Sequence, residues 1–320
     1  MTPSVIICAY TLDRWSALQA AVESCRRQTT VPVEIILVID YNQELEDRAR
    51  REFPGVRVVA NHLTKGLSGA RNSGVLETTG DIVVFLDDDA YGEDDWLENL
   101  IGPFVDPDVA GTGGWIIPLW EGPEPLWFPR TFYWVLGCSY DGLGATGSTI
   151  RNPIGASMSV RRSVFSEVGG FTDGIGRVGR VPLGCEETEL CIRYTQRHPE
   201  QRFVLVHEAV VHHRVPESRC TWKYFSSRCW AEGISKAAVS SLVGSGDGLA
   251  AERRHVAKAL PREFLSALAL VRSHRRDAVG RAFYLVAGAF LALAGLMRGT
   301  FEFRRHPLTA AVAMPLTSQG

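Results

Sequence analysis

The chain is 320 residues long, 45% hydrophobic and 22% charged, and carries 34 Lys and Arg against 36 Asp and Glu. Such a composition excludes a disordered or fibrous chain, and the length suits one large domain or one domain with an appendage. The net charge of −2 conceals an acidic body of 23 basic and 32 acidic residues, followed from Ala251 by a tail of eleven basic and four acidic ones.

The first 110 residues alternate short apolar runs with helical patterns. "VIICAY" reads as a buried strand, and Trp15, Leu18, Val22 and Cys25 then recur at helical spacing. "VEIILVID" and the short "VRVVA" are the next strands, "SGARNSGVLETT" a helix weakened by Gly74, and "DIVVFLD" a further strand. This alternation predicts a mostly parallel sheet covered on both faces. Ligands of such sheets bind beyond the carboxyl ends of the strands, where Tyr10, Asp40 and Asp87 fall.

From Gly111 to Arg151 the chain is dense in Gly, Pro and aromatics, including Trp115, Trp120, Trp127 and Trp134. It reads as a long packed loop, either a satellite core or a surface on which flat rings meet an acceptor. Order returns with "IGASMSVRRSVFSEVGGF", a strand then a short helix from near Ser163, and with the helix "GCEETELCIRYTQR". "RFVLVHEAVVHHRVP" contains a strand and "CTWKYFSSRCWAEGISKAAVSSL" a helix, on which Arg228 and Lys236 read as ordinary surface charges or as contacts to an anionic acceptor. A glycine-rich break, "VGSGDG", separates these from the basic stretch that ends at Arg281. There is no internal repeat. The boundaries that follow are a body over 1–243, with halves 1–110 and 111–243, and a tail over 244–320.

The seven cysteines show no C-x-x-C spacing, so neither a zinc site nor a dithiol centre is expected. Cys8, Cys25 and Cys191 lie in apolar patterns and read as buried thiols of a reducing compartment. The first residues show no basic leader with an apolar core, which points to a cytoplasmic protein.

Two acidic clusters carry the chemistry. Asp87, Asp88 and Asp89 follow five apolar residues without a break, and adjacent carboxylates at a strand end suit a hard divalent cation that also holds substrate phosphates. The alternative is a solvated turn. Glu186, Glu187 and Glu189 open a helix, where the dipole alone favours acids, but a carboxylate there can also act as a general base on a hydroxyl. Arg71, in "KGLSGARNSG", supplies a cation for phosphate, yet neither a P-loop nor G-x-G-x-x-G is present.

Taken in order, "SVIICAYTLDR", Asp40, "KGLSGARNSG", "VVFLDDDA", "IGASMSVRRSVFSEVGGF" and "GCEETELCIR" resemble the inverting family-2 glycosyltransferases of GT-A fold, over roughly residues 3 to 240. The resemblance implies the α/β GT-A fold, a nucleotide-sugar donor, here UDP-linked, a hydroxyl acceptor, and Mg²⁺ or Mn²⁺. It implies that Ala9, Tyr10 and Asp40 face the base, that Arg71 lies near the ribose or diphosphate, and that Asp87 to Asp89 form the D-x-D site. Asp89 would be the direct metal ligand, with Asp87 beside it. Gly155 and Ala156 would lie near the donor sugar, His213 of "HHRVP" near the diphosphate, and Glu187, with Glu186 next to it, in the place of the base. Two departures stand out: that base is usually the Asp of a Glu-Asp pair, and Cys8-Ala9-Tyr10-Thr11 replaces the common Pro-Thr-Tyr-Asn.

The tail contains sixteen uncharged residues, 282–297, closed by Arg298. A helix of that length reaches about 24 Å, short of the roughly 20 residues that span a bilayer. With a basic run before it, an interfacial helix on an anionic membrane surface is expected, or else a helix packed on the body or on a second subunit, which leaves a homo-oligomer open. The whole chain also resembles family members that act on lipid-linked acceptors, glucosyl-dolichyl-phosphate glucuronosyltransferases among them, so the acceptor is read as a polyprenyl-linked glycan. A soluble small-molecule acceptor and a non-catalytic nucleotide-sugar binder are the alternatives, and no nucleic-acid partner is expected. A sugar-1-phosphate nucleotidyltransferase would want a Gly-rich loop with Arg and Lys after the first strand, which "TLDRW" does not supply.

Overall fold

The computed structural model describes residues 1–176, 183–248, 276–306 and 308–309. Most of the basic stretch from Ala251 to Arg281 therefore lies outside the described residues.

The chain enters as β1 (Pro3–Ala9), α1 (Trp15–Arg26), β2 (Glu34–Ile39), α2 (Gln43–Glu52), β3 (Arg57–Ala60), α3 (Leu67–Glu77) and β4 (Ile82–Asp87). Successive side chains of β1 face opposite sides, so Val5 and Ile7 join Leu18 and Val22 of α1 in one core, and Ile6 joins Ala70 and Val75 of α3 in the other. A strand buried on both faces must be apolar throughout, which is why "VIICA" does not alternate. Gly74 weakens α3 locally but lets it lie on β1, since an added Cβ would stand 2.8 Å from Ile6 Cγ2.

The second half adds β5 (Ala90–Gly92), α4 (Trp96–Ile101), β6 (Val109–Trp120), β7 (Thr149–Ile150), β8 (Ser157–Arg161), α5 (Arg162–Val168) and α6 (Glu186–Arg197). It closes with β9 (Arg202–Val215), α7 (Trp222–Val243), the one-turn α8 (Ser245–Gly248) and α9 (Arg276–Arg305). The glycine-rich break thus contains a short helix. The strand order is β3-β2-β1-β4-β8-β6-β9-β5, with β7 on β9.

Two expectations need correction. The sheet is mixed, not mostly parallel: among the described residues β1–β2, β1–β4, β2–β3 and β6–β9 pair parallel, while β4–β8, β6–β8, β5–β9 and β7–β9 pair antiparallel. Helical crossovers operate only through the first half; β6 reaches β8 through the aromatic segment, which imposes no parallel return. Second, the supposed loop from Gly111 begins as β6, at the centre of the sheet. Its glycines mark close approach: a Cβ at Gly111 would stand 2.6 Å from the Ser159 carbonyl oxygen, and one at Gly114 2.3 Å from Ser157 Oγ.

The aromatics after β6 form the bed for α7 and α9. Phe128 and Phe132 are buried against Phe225 of α7 at centroid distances of 5.4 Å each, and Trp127 lies 4.2 Å from Tyr284 of α9. Leu285 of α9 is buried in the same core. The two helices approach through glycine, since a Cβ at Gly233 would stand 2.0 Å from the Ala292 carbonyl oxygen and one at Gly295 2.2 Å from that of Trp230.

Candidate active site

Parallel pairing places Cys8 opposite Asp87 and Ala9 opposite Ile39, so three strands end at one edge. A cavity of about 460 Å³ lies beyond it, and Ala9, Tyr10 and Asp40 line it. Asp40 fixes the loop before α3 by accepting from Asn61 Nδ2 at 2.7 Å and from the Gly66 amide at 3.1 Å. Gly66 has φ +120°, a conformation that favours glycine. Tyr10 is 41% exposed, with the Arg14 guanidinium 5.4 Å from its ring centroid. Cys25 and Cys191 are buried as expected, but Cys8 is only half-buried because it opens onto the cavity.

Asp88 and Asp89 are buried, while the Asp87 side chain remains one-third open at 33% exposure. Antiparallel pairing of β5 with β9 sets Ala90 opposite His213, and this brings the imidazole to the acidic turn. His213 Nε2 lies 3.2 Å from Asp89 Oδ1, Arg219 Nη2 lies 2.9 Å from Asp89 Oδ2, and Arg14 Nη1 lies 2.8 Å from Asp88 Oδ1 and 3.2 Å from Asp89. Burial works to raise the Asp89 carboxyl, but His213, then Arg219 and Arg14, hold it well below the usual carboxylate range. Burial would lower the His213 imidazole, yet Asp89 raises it to about 10. Burial and the neighbouring Asp89 push Asp88 up to about 7 against the pull of Arg14. One ligand atom each from Asp87, Asp89 and His213 fall within 4.8 Å of one another. Two carboxylate oxygens, and the His213 imidazole once a cation has displaced its proton, fit a divalent ion that keeps further positions for phosphate oxygens. The reading from sequence had Asp87 and Asp89 but not His213 as a ligand. The other histidine of the pair, His212, faces Glu93 at 3.0 Å.

The second cluster faces the first. Helix α6 starts after Cys185, whose φ of 74° turns the chain sharply, so that Glu186 and Glu187 point at Arg71. The buried Arg71 guanidinium donates to Glu187 at 2.7 Å and to Glu186 at 3.1 Å, and lies 3.6 Å from Asp87. It therefore bridges the two acidic clusters. Glu187 is the more open, with a side chain 14% exposed against 3% for Glu186. Gly155 makes room for this pairing, because a Cβ there would stand 2.1 Å from Glu187 Oε1 and 2.2 Å from Arg71 Nη2. Glu189 belongs to the fold: fully buried, it accepts from Arg193 at 2.7 Å and from Thr172 at 2.9 Å.

Gly155, Ala156, Glu186, Glu187, His213 and the three aspartates all line the same cavity as Tyr10 and Asp40. Arg14 and Arg219 were not anticipated; their only sequence signal was a cation following each strand end. Arg228 and Lys236 also line the cavity, and Lys236 is buried, so they are not ordinary surface charges.

An acidic turn at the carboxyl ends of parallel strands, facing a second carboxylate pair, can hold a phosphate-bound cation on one side and present a general base on the other. The model of glycosyl transferase family 2 matches residues 4–169, and the chain belongs to that family. It is 35% identical over 240 residues to the glucosyl-dolichyl phosphate glucuronosyltransferase of Haloferax volcanii, covering 74% of this chain and 76% of that one. It is 32% identical over 154 residues to the pre-mycofactocin glycosyltransferase of Mycobacterium tuberculosis, which covers 46% of this chain and 30% of the relative. Among solved structures, GalNAc-T7 with UDP, GalNAc and Mn²⁺ superposes with a TM-score of 0.52 at 18% identity, covering 75% of this chain and half, 50%, of the other. The expected α/β fold of GT-A type is thereby shown, as is the glycosyltransferase assignment.

Proposed function

We propose that the protein is a metal-dependent inverting transferase that moves a sugar from a UDP-linked donor to a hydroxyl of a lipid-linked acceptor. The observation that carries this is the opposition of the two acidic clusters across one cavity, with Arg71 between them. Asp87, Asp89 and His213 would hold Mg²⁺ or Mn²⁺, which when bound supplies charge to neutralise the departing diphosphate. Tyr10 and Asp40 take the nucleoside end, where an open ring and a hydrogen-bonding carboxylate meet. Glu187 removes the proton of the acceptor hydroxyl. That oxygen bonds to the anomeric carbon as the bond to the diphosphate breaks on the opposite face, and the proton remains on Glu187. Arg71 orients this carboxylate from behind, and Gly155 keeps the space beside it clear.

The relative from Haloferax supports an acceptor borne on a lipid, and α9 supports attachment to a membrane surface from the cytoplasmic side. That helix is long and apolar enough to cross a membrane, longer than the charge-free run of sixteen residues, because it continues on both sides past Arg281 and Arg298. It lies along α7, so we take the chain as peripheral, with residues 1–243 as the catalytic unit and the tail lending it a wall. The test is a thermal-shift screen of nucleotide sugars with Mn²⁺, Mg²⁺ or EDTA. A ligand at 100 times its Kd adds about 2.7 kcal/mol. A UDP-sugar should stabilise the protein only with metal present; an equal shift in EDTA, or no shift with any nucleotide sugar, would overturn the reading.

A further inference from the structure

Helix α6 leaves its turn under strain. Cys185 holds φ 74°, a region that glycine enters freely and a larger residue does not, and it supplies no side-chain cap to the helix it opens. Such a conformation persists only where the surroundings impose it. Gly184 and Cys185 line the cavity directly before Glu186 and Glu187, so whatever holds this turn also sets where the candidate base points.

The hold comes from α7. Ser235, itself buried, donates its hydroxyl to the Ala231 carbonyl at 2.9 Å and accepts from the Gly184 amide at 3.1 Å. Glu232 Oε1 accepts from the Cys185 thiol at 3.4 Å and is fixed in turn by the buried Lys236, whose Nζ lies 3.1 Å away. Val239, one turn further on, packs with Cys185 and Ile192 of α6. A glycine at 185 would take the same φ without cost, but it would give α7 no side chain to grip. On its other side α6 is tied by Arg193 to the Val168 and Gly170 carbonyls, which secures the body of the helix but not its first turn. Arg71 does not secure that turn either, since it is shared among Glu187, Glu186 and Asp87. Behind α7 stands α9, whose backbone touches Gly233 and whose Leu293 and Leu296 line the cavity.

We propose that Ser235 and Cys185 are positioning residues for the transfer, which hold the turn at Gly184 so that the Glu187 carboxylate meets the acceptor hydroxyl. They act through Glu187, and the proposal therefore rests on the reading of Glu187 as the base. A purely structural tie would also stabilise the turn, but its loss would slow the reaction by the same factor whether or not that carboxylate is present.

The test is a double-mutant cycle in the full-length protein. It is read as UDP released, with Mn²⁺ and with water as acceptor, from the UDP-sugar that stabilises the protein in the thermal-shift screen. Ser235→Ala should slow release at least tenfold, since a displacement of about 1 Å can cost about 10² in rate. The Kd for UDP with Mn²⁺, read by calorimetry, should stay unchanged. In a Glu187→Gln background the same substitution should cost less than twofold, because the group that it misplaces is gone. Cys185→Gly, which keeps φ without strain but gives up the thiol and its contact with Val239, should behave alike, and it decides the matter should Ser235→Ala fail to fold. Wild-type release in these variants, an equal loss in both backgrounds, or a weakening of UDP that accounts for the loss would overturn the proposal. Wild-type release by Glu187→Gln alone would instead sink the reading of the base, so the two failures are distinguishable.

Discussion

Replacing Glu187 by Gln removes one carboxylate from Arg71 and the only function that a base requires, at nearly unchanged shape. Loss of general-base catalysis costs about 10² to 10⁴ in rate. At 1.36 kcal/mol per decade this is about 3–5 kcal/mol of transition-state stabilisation. The folded state should change far less. Arg71 keeps Glu186 at 3.1 Å and Asp87 at 3.6 Å, so its buried charge is not stranded, and the cost of about 3–5 kcal/mol for breaking a buried pair outright does not apply. A loss of about 1 kcal/mol, or ~2–4 °C in Tm, is expected. Glu186→Gln makes the contrast, because its side chain is 3% exposed and serves Arg71 from behind: it should keep transfer within about tenfold and lose at least as much stability. Release of nucleoside diphosphate with acceptor present measures turnover, and calorimetry with UDP and Mn²⁺ shows that the donor site survives. A Glu187→Gln protein that retains a tenth of wild-type turnover, beside an inactive Glu186→Gln of native Tm, would show the roles reversed. Two variants both near wild type would remove this carboxylate pair from the chemistry.

Asp87→Asn should weaken Mn²⁺ binding at least tenfold by calorimetry with Tm nearly unchanged, since its side chain is one-third exposed. Asp89→Asn should lose Mn²⁺ binding too, but also lower Tm by more than Asp87→Asn, because Asp89 pairs with the buried Arg219 and His213 and with the partly buried Arg14. Gly155→Ala should abolish transfer while leaving UDP binding, read by calorimetry, because its methyl would occupy the space of Glu187 Oε1 and Arg71 Nη2. Phe283→Ser with Phe290→Ser should reduce co-sedimentation with anionic vesicles at least tenfold at low salt, given about 1.5–3 kcal/mol for burying each aromatic ring; unchanged sedimentation would count against a membrane face on α9.

The first 110 residues were legible because their strands are buried on both faces and therefore announce themselves as apolar runs that end in acids. Along with β5 and α4, the sequence reading passed over α2, whose "QELEDRARRE" buries only Leu45 and Ala49 and so has almost no apolar period. Its signals were a different kind: the Asn42 cap on the Leu45 amide, and the pairs Arg50–Glu46 and Arg48–Glu52 at helical spacing. In β6 the glycines concealed a central strand, because a residue chosen so that backbones can touch carries no apolar mark. The site shows a comparable limit. Asp87, Asp89, Glu186 and Glu187 declared themselves by density, but His213 reaches Asp89 only through the pairing of a three-residue strand with the end of β9. No local spacing encodes a contact between residues so far apart.

The tail shows how counting charges differs from counting faces. Sixteen uncharged residues set a length too short for the membrane, but the helix runs from Arg276 to Arg305, and its charges near either end do not interrupt it. Its two faces answer to different demands. Gly288, Gly295 and Gly299 turn toward Phe132, Trp230 and Ile234, where any larger residue would collide, whereas Phe283, Phe290 and Met297 turn outward at 53–67% exposure with the rest of their row. Small residues facing a neighbouring helix and large apolar ones facing away are the pattern of helices that pack within or upon lipid, where association depends on close fit. A soluble helix of this length would reverse it, with large side chains turned in and charges out. The inward fit explains why the tail forms part of the cavity wall, and the outward row explains why that wall continues into an apolar surface. A chain cut before this helix would therefore lose one wall of the cavity, and it would expose Phe132 and Phe225 to water as well.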